Sequence, residues 1–80
     1  MDLVNLTQLR SGEEGKVVNI LGGLGIHRRL ETMGIRPGIK IKKISKFFRT
    51  GPVTVEIGNT KVAIGYGMAR RVIVEKINHA

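Results

Sequence analysis

The stretch from Gly22 to Gly38, GGLGIHRRLETMGIRPG, constrains this chain more than any other part of it: glycines bracket one short helix, and a Pro-Gly pair turns the chain back into a strand. Ile26, Leu30 and Met33 recur at i, i+4 and i+7, which puts them on one helix face that has to be buried. Gly34 stands where a helix ends with φ > 0, and Ile35 after it can pack back on the last turn, as in a Schellman-type ending. Pro37-Gly38 blocks any continuation. Ahead of the helix, Gly22, Gly23 and Gly25 permit a sharp reversal and a close backbone approach. The expected structural set is therefore Gly22, Gly25, Ile26, Leu30, Met33, Gly34, Pro37 and Gly38.

The rest of the chain is built for strands. Ten Ile and eight Val stand against six Leu, and β-branched side chains favour a pleated, half-buried surface. Eighty residues make one domain, 1–80, with a shallow core. That core is aliphatic, since Phe47, Phe48 and Tyr66 are the only aromatic residues. Without cysteine, neither a disulfide nor a thiolate metal site can brace it.

Along the chain, Leu6 and Leu9 share one face of a helical turn, and Gly12 and Gly15 frame a turn that holds Glu13 and Glu14. Lys16 to Leu21 reads as the first strand. From Ile39 the pattern alternates Ile39, Lys40, Ile41, Lys42, a strand with lysines on its outer face. Lys43 then occupies a position where an apolar residue is due, which suggests a bulge or bend at Lys42-Lys43. Gly51-Pro52 marks a turn, and Val53, Val55 and Ile57 alternate after it. Gly58-Asn59 joins two alternating runs as a hairpin loop, with the partner strand from Thr60 to Ile64. Gly65 to Ala69 is a short turn or a single tight helical turn, and Arg71 to Ile77 is a last strand that returns to the first. The expected fold is mostly β: a small SH3-like barrel of about five strands with one short inserted helix.

Several chemistries are disfavoured by the residues present. Gly22-Gly23-Leu24-Gly25 lies between a strand and a helix, where phosphate loops occur. A dinucleotide fingerprint from Gly23 would need glycine at Arg28, however, and no Gly-Lys-Ser/Thr follows; a tight turn accounts for these glycines. His27 and His79 are far apart with no carboxylates at ligand spacing, so no metal or other cofactor is expected. Ser11 and Ser45 have no histidine nearby in sequence, and six scattered Asp and Glu offer no acid/base pair. The expectation is a protein that is not an enzyme. Met1-Asp2-Leu3 does not begin a basic-then-apolar leader, and nothing approaches the roughly 18 apolar residues of a membrane span, so the expected location is cytoplasmic.

Fourteen Lys and Arg against six Asp and Glu give a formal charge of +8, which suits an acidic partner or simply keeps the chain soluble. Arg36, Lys40, Lys42, Lys43, Lys46 and Arg49 form a basic run that no acid interrupts between Glu31 and Glu56. Phe47-Phe48 sits beside it. The opposite side of the helix, with Arg28, Arg29 and Thr32, is a second basic face.

Three blocks carry a family resemblance over nearly the whole chain: LTQLRSGEEGKVV at 6 to 18, Arg29-Leu30-x-x-Met33-Gly34-Ile35-x-Pro37-Gly38, and Val62-Ala63-Ile64-Gly65-x-x-Met68-Ala69. Together they resemble the FeoA family, small cytosolic components of bacterial ferrous iron transport systems. The resemblance implies an SH3-like barrel with an inserted helix. It also implies an accessory role beside the membrane permease FeoB, whose cytosolic portion contains a GTP-binding domain, and hence a location peripheral to the inner membrane. A related domain closes DtxR-type repressors, but no winged-helix segment is present here.

On that basis the partner-binding residues are expected among Arg28, Arg29, Thr32, Lys40, Lys42, Lys43 and Lys46. An RNA-binding small barrel is the alternative from another class, although no nucleic acid is the expected partner, and an iron-carrying chaperone is a third. A homo-oligomer formed through a strand edge near Phe47 to Thr50 stays open.

Overall fold

A computed structural model of the chain describes residues 2–46 and 51–77. It contains six strands: β1 (Leu3–Asn5), β2 (Glu14–Ile20), β3 (Lys40–Lys46), β4 (Val53–Ile57), β5 (Thr60–Ile64) and β6 (Val72–Lys76). Helix α1 (Leu24–Thr32) lies between β2 and β3, and helix α2 (Tyr66–Ala69) lies between β5 and β6. All the strands join one antiparallel sheet in the order β1-β6-β2-β3-β4-β5. Among the described residues no ladder joins β1 to β5, so the mostly β, SH3-like sheet leaves two edges.

The expected return of the last strand to the first is present as β6 against β2, with Val17 opposite Val74 and Ile20 opposite Val72. The sixth strand is β1, which adds on the far side of β6 with Leu3 opposite Glu75. Three residues are too few to show a period of two, so this strand is created by its partner and not by its own pattern. A 3-10 turn at Leu6–Gln8 follows, closed by a capping box: the Asn5 side chain accepts from Thr7 N at 2.9 Å, and Gln8 Oε1 accepts from Asn5 N at 2.9 Å. It buries Leu6 and Leu9, as their shared face suggests.

The core is a single aliphatic cluster to which every strand except β1 contributes a fully buried or nearly buried residue, among them Val17, Ile41, Val55, Ile64 and Val74. Helix α1 adds Leu30 at 0% exposure, with Ile26 and Met33 half-buried against the cluster. Its end is a complete Schellman motif: Gly34 N donates to Glu31 O at 2.9 Å, Ile35 N donates to Leu30 O at 2.9 Å, and Gly34 has φ +86°. Ile35, also at 0% exposure, joins Leu30 in the core. Pro37-Gly38 then turns the chain, with Ile39 N donating to Arg36 O at 3.2 Å and Gly38 at φ +98°. The Gly58-Asn59 loop joins β4 to β5 with Ile57 opposite Thr60.

Three local expectations are corrected. Gly25 lies inside α1, exposed and with no atom within 4 Å of where a Cβ would stand, so no close approach needs glycine there. Gly22 does meet that need, with φ +113° and Ile26 Cδ1 at 3.0 Å from the Cβ position. Gly15 belongs to β2 and not to a turn; a Cβ would fall 2.8 Å from Val74 Cγ2 of the paired strand β6, so this position requires a residue without one. The irregularity in β3 lies between Lys43 and Ser45, one step beyond the expected place, and a second lies in β2 between Val17 and Asn19.

Candidate docking surface

The basic run of β3 divides by strand parity. Lys40 and Lys42 alternate with buried Ile41 and are exposed on the outer face. In sequence they have no acidic neighbours, but the register supplies them. Glu14 of β2 lies opposite Lys42, which lies opposite Glu56 of β4, which lies opposite Lys61 of β5. One step along, Glu75 of β6 faces Lys16 of β2, which faces Lys40 of β3. Lys40 Nζ also reaches Glu14 Oε2 at 3.5 Å. The outer face therefore interleaves acids with its lysines, although Lys16 and Lys40 face each other as like charges. Directly opposed unlike pairs of this kind contribute about 0.2–1 kcal/mol each.

Lys43 does not belong to the surface at all, which corrects its place among the partner-binding residues. It keeps the inward parity of Ile41, lies opposite fully buried Val55, and is 3% exposed. Its Nζ donates to Leu9 O at 2.6 Å and to Thr7 O at 3.0 Å. Its backbone N donates to Glu13 O at 2.9 Å, and its O accepts from Gly12 N at 2.7 Å. The ammonium thus satisfies carbonyls that the end of the 3-10 turn leaves without helical donors. Lys43 ties the N-terminal segment to the middle of the sheet. The break in alternation at this position was its sequence signal, since an inward-facing lysine and a bend give the same pattern. Lys46 closes β3, and its side chain lies outside the described atoms, as do Phe47, Phe48 and Arg49.

The helix face differs. Arg28, Arg29 and Thr32 are exposed, and Thr32 Oγ1 donates to Arg29 O at 2.6 Å. Among the described residues the ion pairs are Lys40–Glu14 and Lys76–Glu13, so neither arginine has a carboxylate at pairing distance. Leu24 precedes Arg28 by one turn and is 65% exposed. The outer side of α1 thus combines unpaired positive charge with exposed apolar surface, a composition suited to docking an acidic protein. The structure brings Arg28, Arg29 and Thr32 together, and it separates them from the charge lattice of β3.

The Glu13 carboxylate accepts from Arg10 N at 2.6 Å, and this bond, with Lys76 and Arg10 nearby, holds its pKa below the ordinary value. His27 is half-buried on α1, and His79 lies outside the described residues. Among the described residues no three His, Cys, Asp or Glu gather as a metal site would require. Nor is any described helix long and apolar enough to cross a membrane.

Comparison with known proteins places this geometry. A family model described as the FeoA domain matches residues 4–76. A relative from Methanocaldococcus jannaschii, assigned by name to Fe(2+) transport protein A, is 39% identical over 66 residues, covering 82% of this chain and 78% of that one. A crystal structure of an iron uptake regulatory protein (FeoA) superimposes with a TM-score of 0.88 at 38% identity, covering 96% of this chain and all of that one. A manganese-dependent transcriptional repressor shares the fold, with a TM-score of 0.87 at 20% identity over 96% of this chain and 38% of its own.

Proposed function

This chain belongs to the FeoA domain family, and from that premise we propose that it serves ferrous iron uptake as an accessory protein, docking on the cytosolic part of the FeoB permease. Family membership supports the role in iron uptake. The observation that carries the docking mode is the pair of exposed arginines on α1, Arg28 and Arg29, which among the described residues have no carboxylate at pairing distance. Lys42 faces Glu14 and Glu56 across the strands, so these neighbours offset part of its field and a new acidic partner adds less there. Unpaired arginines on a rigid helix offer bidentate contacts to carboxylates and accelerate encounter with an acidic surface. The fold supports this use, since the Schellman ending and buried Leu30 seat α1 against the core.

The test is a titration of the full chain against the recombinant cytosolic part of the permease, with and without a GTP analogue. R28Q/R29Q is expected to bind about fivefold to tenfold more weakly, with its thermal midpoint retained, and wild-type binding is expected to weaken as salt rises. Equal weakening by Lys42→Gln would move the docking face to the sheet. A wild-type chain that binds the permease in neither nucleotide state sinks the proposal.

A further inference from the structure

Just beyond α2 the surface contains a cavity of about 280 Å³ lined by Asn5, Leu21, Gly67, Arg70 and Arg71. Backbone bonds fix its cationic wall: Arg70 N donates to Tyr66 O at 3.0 Å, Arg71 N donates to Met68 O at 3.0 Å, and Arg71 O accepts from Leu21 N at 2.7 Å. The Arg70 guanidinium carbon stands 6.0 Å from the centre of the Tyr66 ring. Arg71 folds across Gly22, where a Cβ would come within 3.1 Å of Nη1. Among the described residues neither arginine has a carboxylate partner. Asn5 also lines the cavity; its Oδ1 accepts from Thr7 N and Thr7 Oγ1, and its side-chain amide N–H groups are further donors.

A second observation is independent of the charges. The exposed large apolar side chains among the described residues are Leu3, Val18, Leu21 and Leu24. Leu21 lines the cavity, and each of the others lies within three residues of a lining residue. Leu3 and Asn5 share the outer face of β1, in register with Glu75 and Ile73 of β6. An exposed leucine in the wall beside two adjacent cations, with further exposed leucines close by in the chain, is the composition of a protein-binding surface with an anchor pocket.

Resting on the accessory reading above and deepening it, we propose that this cavity receives an acidic side chain from an amphipathic segment of the partner protein. The segment's apolar residues cover Leu21 and Leu24. Both guanidinium groups can engage one carboxylate through parallel N–H···O bonds, and the Asn5 amide completes the cradle. The volume lies just below the usual range for small-molecule sites, about 300–1,000 Å³, and suits one inserted side chain better than a nucleotide. An anionic bilayer would meet the same leucines and arginines, but a plane of headgroups does not enter a depression as a protruding side chain does.

The experiment follows amide shifts of the 15N-labelled full chain during titration with the permease's cytosolic part and, separately, with an acetylated Leu-Glu-Glu-Leu peptide. The expected result is that both perturb Asn5, Leu21, Gly67, Arg70 and Arg71. R70Q/R71Q should weaken permease binding about tenfold or more, and Leu24→Ser, a surface change that leaves the core intact, should weaken it severalfold. Permease binding that shifts other residues and survives both variants overturns the pocket while leaving the accessory role intact. If the wild-type chain does not bind the permease, the accessory reading fails and the peptide decides the pocket: shifts at these five amides uphold it, and their absence overturns it. Equal shifts with inorganic phosphate at the same concentration, or tight sedimentation with phosphatidylglycerol vesicles that the peptide does not compete, also overturn it.

Discussion

The outer face of the sheet and the outer side of α1 both carry basic residues, and the fold treats them in opposite ways. On the sheet, Lys42 faces Glu14 and Glu56, Lys16 faces Glu75, and Lys40 Nζ reaches Glu14. On α1, Arg28 and Arg29 have, among the described residues, neither a carboxylate at pairing distance nor an acid on a flanking strand. The difference arises from how each element meets its neighbours. A strand is flanked on both sides at a fixed register, so residues distant in sequence neutralise it. A helix laid on the end of a small sheet exposes a face that no other element reaches. A run of positive residues in the sequence therefore says little about the surface field until the register is known.

The largest test of this contrast lies within β3, where two adjacent lysines have opposite roles. Lys43→Met keeps an apolar stem in the core but removes the ammonium from Leu9 O and Thr7 O. A buried and a part-buried carbonyl then lose their donor, and a loss of about 2–4 kcal/mol is expected in urea unfolding. Lys42→Met on the exposed face should stay within about 0.5 kcal/mol of wild type. Equal midpoints for the two variants would mean that Lys43 is no more part of the fold than Lys42.

How much of this was legible in the sequence depends on how local each feature is. The Schellman ending at Gly34 and the Gly58-Asn59 hairpin were legible, because a few consecutive residues decide each. The inward side chains of β4 and β5 followed from alternation. Strand β1 was not legible, since Leu3–Asn5 becomes a strand only by pairing with β6. Lys43 was half-legible: its position called for a core residue, and a lysine there could be resolved only by finding the carbonyls of Thr7 and Leu9, more than thirty residues away. The helix arginines were legible as an exposed face, but not as the unpaired one, because that distinction depends on where Glu14, Glu56 and Glu75 fall in the register. The cavity by Arg70 and Arg71 joins three distant segments and left no sequence signal.

The next effect is smaller and addresses the lattice itself. A double-mutant cycle on Lys42 and Glu56 should return a coupling of about 0.2–1 kcal/mol that disappears in 1 M salt. The same cycle on Arg28 and Glu31, which share a helix three residues apart without forming an ion pair, should return a smaller value. Equal couplings would erase the distinction between a compensated sheet and an uncompensated helix.

The smallest effect concerns Glu13, a charge the fold has absorbed, as it has absorbed Lys43. Its carboxylate closes the turn after the 3-10 segment by accepting from Arg10 N, and Lys76 Nζ lies 3.7 Å from its other oxygen. Because the folded chain holds its pKa below the ordinary 4.5, the folded state binds this proton less readily than the unfolded chain does. The contribution to stability is therefore present above pH 4.5 and is lost as the pH falls through the lower, folded value. Glu13→Gln removes the titration. Its urea midpoint should lie slightly below that of wild type at pH 7, and the gap should close toward pH 3. A gap that is constant across this range would show that the carboxylate's charge contributes nothing at this turn, leaving Lys43 as the charge by which the N-terminal segment is held.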